Sequence, residues 1–198
     1  VLMVEGGRID HAHHAGNARR ALGETIELSN AVRVARELTD PSQTLIVVTA
    51  DHSHTFTISG YPKRGNPILG LVVGSSGESP LGTTPAPDLT GLPYTTLGYA
   101  NGPGYVGASD AQPEGPKRLP HFAKRYRAPK LGRPDLAQVD TESSLYLQEA
   151  TLPLSSKTHR AEDVPVSARG PSAALFHGAR EQSFIYHALA AALGIAPP

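Results

Sequence analysis

An α/β fold with a largely parallel sheet is predicted by three stretches of this chain. Apolar Val1-Leu-Met-Val4 opens it, the amphipathic run Gly23 to Leu38 follows, and the β-branched run Leu45 to Thr49 comes next. In the second stretch Ile26, Ala31, Val34, Ala35 and Leu38 recur at nearly helical spacing with charges opposite, so a helix packed on a sheet is expected there. Pro41 in Thr39-Asp-Pro-Ser-Gln43 cannot extend the helical ladder and ends it. Strand, helix, strand in this order implies a right-handed parallel crossover.

The bulk properties bound the rest. A chain of 198 residues suffices for one domain with a full core. Its 18 Lys and Arg balance 18 Asp and Glu, so no whole-chain field recruits nucleic acid or a membrane surface. With no cysteine, any metal must be held by nitrogen and oxygen. No apolar run approaches the ~20 residues of a membrane span. The chain opens inside what reads as a central strand, so it reads as a piece of something longer.

Composition changes in the middle, where ten of the eighteen prolines lie between Pro80 and Pro134 with many glycines. Residues 80–135 are expected to form a loop-rich insertion. From Gly115 to Pro134 it carries seven cations and no acid: Lys117, Arg118, Lys124, Arg125, Arg127, Lys130 and Arg133. The plain reading of such a run is a solvated loop, screened beyond roughly 8 Å at physiological salt. Recruitment of an anionic substrate is the alternative. Structure is expected to resume at Thr141 to Gln148, with a strand through Val164 to Ala168 and a helix from about Glu181 to Leu193. The Phe184, Ile185, Ala188, Leu189 and Ala192 stripe of that helix reads as core.

Chemistry concentrates in two blocks, Glu5-Gly-Gly-Arg-Ile-Asp10-His-Ala-His-His14 and Thr49-Ala-Asp51-His52-Ser-His54. Each follows a strand-forming run, and the carboxyl ends of strands form the binding crevice of an open α/β sheet. Asp10 and His14 are four apart, so on a helix their side chains share a face and can grip one ion. Asp51 and His52 at a strand end can turn toward one crevice, although an Asp cap beside a core His would look the same. Glu5, before two glycines, suits a hard cation such as magnesium. Three carboxylates in one crevice are costly without cations.

These two blocks, with Thr158-His159-x-x-Glu162-Asp163-Val164, resemble three successive signature blocks of the alkaline phosphatases, in the family's order. The resemblance covers Val1 to about Gly60 and resumes from about Asp140, including Gly170-Pro171 and Phe176-His-Gly178. The proline-rich middle falls where the family carries a variable insertion, the crown. The resemblance implies a three-layer α/β sandwich with a central, largely parallel sheet, residues 1–198 being the carboxyl-terminal half of that domain. It implies two zinc ions and one magnesium: Asp10, His14 and His159 for the first zinc, Asp51 and His52 for the second, and Glu5 for magnesium. Two such zinc ions would clamp the attacking and leaving oxygens of an in-line displacement at phosphorus. It further implies phosphate monoester substrates, a phosphoserine intermediate, a homodimeric parent, and an extracellular or periplasmic location. A phosphodiesterase or sulfatase of the same superfamily, and a non-catalytic metal-binding fragment or inactive homologue, are the alternatives.

Three family elements are missing from these residues: the Asp-Ser nucleophile block, the phosphate-clamping arginine, and the remaining metal ligands. Ser143, Ser144, Ser155 and Ser156 all lack the Asp-Ser context. No catalytic residue is therefore assigned in the chain, which is expected to be inactive alone. Arg160-Ala161 replaces the Gly-Gly that usually follows the third-block histidine. His11, His13 and His54 flank the ligands and read as imidazoles behind the ligands or facing solvent. His177 reads as structural, and His121 and His187 carry no signal.

Overall fold

The computed structural model describes residues 1–74 and 83–195, so residues 80–82 of the expected insertion lie outside the described residues. The chain divides into two compact units, residues 1–26 with 54–159 and residues 27–53 with 160–198.

In the first unit, helix α1 (Arg8–His14) places Asp10 and His14 one turn apart, as expected. Gly16, at φ +70°, turns the chain out of it in the left-handed conformation that glycine adopts at little cost. Asn17 then starts α2 (Ala18–Leu38), which begins five residues before Gly23. The reason is a cap: Asn17 Oδ1 accepts the Arg20 N–H at 2.9 Å, while its amide donates to the carbonyls of Ser144 and Tyr146. Gln148 Oε1 accepts the Ala18 N–H at 2.6 Å, so one stretch near residue 146 fixes where the helix starts.

The main sheet of this unit has the order β3-β4-β5, with β3 (Phe56–Ile58), β4 (Leu97–Gly102) and β5 (Ala150–Pro153). β3 and β4 are antiparallel, with Phe56 opposite Tyr99. β4 and β5 are parallel, with Asn101 opposite Leu152. Leu97 and Tyr99, both buried, alternate with half-buried Gly98 along β4, as the period of two requires. Ala12, Ala18, Ala21, Tyr146, Leu147 and Ala150 are buried with them. The small residues are needed: a Cβ on Gly104 would lie 1.9 Å from the Gln148 carbonyl oxygen.

Among the described residues of 83–135, β4 is the one helix or strand longer than an isolated bridge. The basic run of this insertion is not one solvated flap, because its ends turn inward. Lys117 is fully buried and donates to the carbonyls of Val106, Pro113 and Gly115. Arg133 bonds Asp88, Glu149 and the Pro93 carbonyl. Arg118, Lys124, Arg125, Arg127 and Lys130 are exposed.

In the second unit, β1 (Ile46–Val48) pairs with β7 (Ser167–Arg169), Val47 opposite Ala168. A Cβ on Gly170 would meet the Thr44 carbonyl oxygen at 2.0 Å, so the turn beside this pair requires glycine. α3 (Phe184–Ala192) lies inside the predicted helix, with Ala188 buried and Phe184, Ile185 and Leu189 half-buried. β2 (Ser53–His54) and β6 (His159–Arg160), whose histidines belong to the first unit, form a further two-stranded sheet.

Two expectations differ from what is observed. The β1–β7 pair is antiparallel, and Val1 to Val4 lie exposed outside any strand, so the expected parallel crossover is not formed among the described residues. The α2 stripe expected to pack on a sheet is exposed at Ile26 (59%), Val34 (44%) and Leu38 (80%) and half-buried at Ala35. Periodicity records a face that can be buried and leaves its partner unspecified.

Candidate metal centre

α1, β2 and β6 bring three imidazoles of the first unit onto one carboxylate oxygen. Asp10 Oδ1 lies 3.2 Å from His14 Nε2, 3.0 Å from His54 Nε2 and 3.5 Å from His159 Nε2. His14 Nε2 and His159 Nε2 are 3.1 Å apart. His54 forms the back of the group, its side chain only 7% exposed, and His159 the open side at 49%.

The orientation of His14 is fixed from behind. Its Nδ1 faces the Lys157 carbonyl at 2.6 Å, and a carbonyl only accepts, so Nδ1 carries the proton and Nε2 presents a lone pair. That lone pair points at an anionic oxygen and a second imidazole nitrogen. Atoms placed this way need a proton or a cation among them, and three imidazoles with one carboxylate are a donor set suited to zinc. A hydrogen bond from the opposite ring nitrogen to a carbonyl is the usual support of a metal-binding histidine. Ser156 Oγ, 3.1 Å from the same Nδ1, stands on that supporting side, away from the converging Nε2 atoms.

Behind His54 lies an aromatic layer. His13 stacks on His54 with ring centroids 4.5 Å apart and meets Phe56 and Tyr99 edge-on. His13 Nδ1 is 2.9 Å from the Tyr99 hydroxyl, whose pKa burial raises. Lys157 is fully buried, with Nζ 5.3 Å from the Tyr99 ring centroid. Its burial lowers the ammonium from 10.5 to about 7, partly opposed by Asp10. Burial, then Lys157, lowers the His13 imidazole from 6.5 to about 4.

The His13 shift carries a stability prediction. The unfolded chain takes up a proton at this histidine near pH 6.5 and the folded chain only near 4, so its contribution is complete above 6.5 and lost as pH falls toward 4. In the zinc-free full-length protein, His13→Gln should therefore flatten the fall of Tm across that window. Parallel Tm profiles for the two proteins would refute the buried neutral imidazole.

The other expected site residues fall as follows. Asp51 and His52 belong to the second unit, just after β1, with Asp51 Oδ2 3.4 Å from His52 Nε2 and the Asp51 carbonyl accepting from Gln182 Nε2. Asp51 also accepts the His52 N–H, an acceptor role that the cap reading shares. Glu5 is exposed, its carboxylate beside Gly7. Arg160, in the place of the first glycine, pairs with Glu162 at 2.9 Å. His54 was set aside in the sequence as a flanking imidazole, yet it makes the shortest of the three contacts to Asp10. The signal available was its place in a strand, two residues beyond His52.

A helix carrying Asp and His one turn apart, closed by two strand-borne histidines, is a group that could hold a metal ion. The family model for alkaline phosphatase matches residues 1–195, and the chain belongs to that family. It is 44% identical over 198 residues to the tissue-nonspecific alkaline phosphatase of Gallus gallus, covering 99% of this chain and 32% of that protein. It is 41% identical over 189 residues to an alkaline phosphatase of Gadus morhua, covering 96% of this chain and 33% of that protein. The human tissue-nonspecific isozyme is 39% identical over 191 residues, covering 96% of this chain and 30% of that protein. The chain spans about a third of the length of these relatives.

Proposed function

We propose that the full-length protein hydrolyses phosphate monoesters at a site with two zinc ions and one magnesium, to which this chain contributes Asp10, His14 and His159 for the first zinc, Asp51 and His52 for the second, and Glu5 for magnesium. The observation that carries the reading is the convergence of three imidazole Nε2 atoms on Asp10 Oδ1, with the His14 lone pair aimed inward by the Lys157 carbonyl. Family membership supports the reaction class. When bound, the zinc ions supply Lewis acidity at phosphorus-bound oxygens and an activated water.

The residues of this chain then have defined tasks. Asp10 contributes the negative charge, and His14 and His159 contribute neutral nitrogen donors from two elements far apart in sequence. His54 holds Asp10 from the buried side, and the His13 layer keeps water from that side. The serine nucleophile, which forms the phosphoserine intermediate, and the phosphate-binding arginine come from residues outside this chain. The three-layer sandwich is completed with them, and the Pro/Gly-rich insertion is the crown-like elaboration. The parent is a homodimer working outside the cell or in a periplasm. No helix among the described residues is long and apolar enough to cross a membrane.

The test is hydrolysis of p-nitrophenyl phosphate by the full-length protein at alkaline pH with zinc and magnesium, against an EDTA-treated aliquot. Chelator-sensitive turnover is expected, together with a lower Tm after chelation, because cations offset the repulsion of the clustered carboxylates. Faster hydrolysis of a phosphodiester or sulfate ester would redirect the assignment within the superfamily. Unchanged Tm and turnover after exhaustive chelation would remove the metal site. The 198-residue chain alone should give no turnover.

A further inference from the structure

The residue before His159 is gripped by one amide side chain from β4. Asn101, on β4, grips Thr158 with both ends of its side chain: Nδ2 donates to Thr158 Oγ1 at 2.8 Å, and Oδ1 accepts the Thr158 N–H at 3.0 Å. The same Oδ1 accepts from Thr55 Oγ1 at 3.3 Å. Thr158 and Thr55 each adjoin an imidazole of the centre, His159 and His54, and the Thr55 N–H donates to the Thr158 carbonyl. β4 itself is held on both sides, by β3 and by β5, so Asn101 stands on the central strand of its sheet. The segment leading to His159 is tied further by the Leu154 N–H donating to the Gly102 carbonyl of β4 at 3.4 Å and by the Lys157 N–H donating to the His14 carbonyl at 3.1 Å.

We infer that Asn101 is a positioning residue for the metal centre, fixing the backbone at Thr158 so that His159 Nε2 meets His14 and Asp10. This rests on the proposed metal site and deepens it. The three atoms that Asn101 engages belong to the segments bearing His54 and His159, while α1, bearing Asp10 and His14, is set by its own turn at Gly16, by the Asn17 cap and by two bonds to the Lys157 backbone. Loss of Asn101 would therefore leave the segment beyond Lys157 less firmly placed against α1. His159 is the most exposed of the four side chains and has the least packing to hold it once its backbone moves. Partners that orient metal ligands are worth roughly 10- to 100-fold in metal affinity.

The experiment measures zinc affinity of the full-length protein by competition with a chromophoric chelator, with the visible absorption of the cobalt-substituted form as a second readout. Asn101→Leu, of similar shape and without polar atoms, should weaken the tightest zinc site about tenfold or more and alter the cobalt spectrum. Asn101→Asp should restore most of the affinity, since a carboxylate still accepts the Thr158 N–H and the Thr158 hydroxyl can turn to donate. Thr158→Val, which removes only the hydroxyl, guards against an Asn101→Leu protein that fails to fold and should give a smaller loss of the same kind. Asn66→Leu is the structural control: Asn66 is a similar clamp, on Val73 N–H and two carbonyls, so its loss should lower the Tm and leave zinc affinity unchanged. Wild-type zinc affinity in Asn101→Leu, or an equal loss in Asn66→Leu, overturns the positioning role and leaves the metal site standing. A wild-type protein that takes up no zinc overturns both.

Discussion

Asp10→Ala in the full-length protein should abolish tight zinc binding at the centre and lower phosphomonoester turnover on the order of a thousandfold. The metal contribution to charge stabilisation at phosphorus is several kcal/mol, and each ~1.4 kcal/mol is tenfold in rate. Asp10 is the right residue to remove because all three Nε2 contacts share its Oδ1. Without it, three imidazoles would face one another with no anion to match a dication. His11→Ala is the matched control, since His11 lies on the same helix and is exposed. Zinc titration and p-nitrophenyl phosphate turnover check both variants. Activity within tenfold of wild type in Asp10→Ala would mean that the centre is not the reacting site.

One substitution, made at two buried lysines of the first unit, should change stability in opposite directions. Lys117 Nζ donates to three carbonyls, so Lys117→Met strands those acceptors and should cost about 3 kcal/mol. Lys157 is equally buried, yet its Nζ has no hydrogen-bond partner among the described residues. Leaving a buried polar group unmatched costs about 1–3 kcal/mol, more when it is charged, and the Tyr99 ring returns only about 0.5–2 kcal/mol. Lys157→Met should therefore stabilise the zinc-free protein at neutral pH by about 1–2 kcal/mol.

The pH dependence separates this account from simple repacking. Between about pH 7 and 10.5 the unfolded chain holds a proton on Lys157 that the folded chain releases, so wild-type stability rises with pH across that window. The advantage of Lys157→Met should be greatest below about 7 and vanish toward 10.5. Denaturant melts at three pH values suffice, and a pH-independent gain would show that Lys157 binds its proton equally in the folded and the unfolded chain.

The helical pairing of Asp10 with His14 was legible in the sequence because its logic is local. Asp10 and His14 need only one helical turn to share a face, and α1 provides it. The helix from Ala18, the strand at Ile46 and the helix at Phe184 follow from periodicity and stop signals. The early start of α2 has a local cause as well, Asn17, but its buried amide is satisfied by Ser144 and Tyr146, and those partners lie more than a hundred residues away. The same separation hid the partners that lie behind the imidazoles. Asn101 reads as one polar residue in a glycine-rich run, and Lys157 as one more surface charge, until β4 and the segment before His159 are adjacent.

The sequence by itself determined the chemistry available to this protein, oxygen and nitrogen donors without thiols, and the family whose motif order it shares. It also determined which residues lie one turn or one strand apart, since backbone geometry fixes those relations. Only the tertiary structure decided that His54 joins Asp10, that the ends of a basic loop turn inward, and that an amide from β4 grips the residue before His159. Each of these is a contact between segments distant along the chain, set by which strands find each other and which buried groups must be satisfied, and no local pattern encodes that pairing.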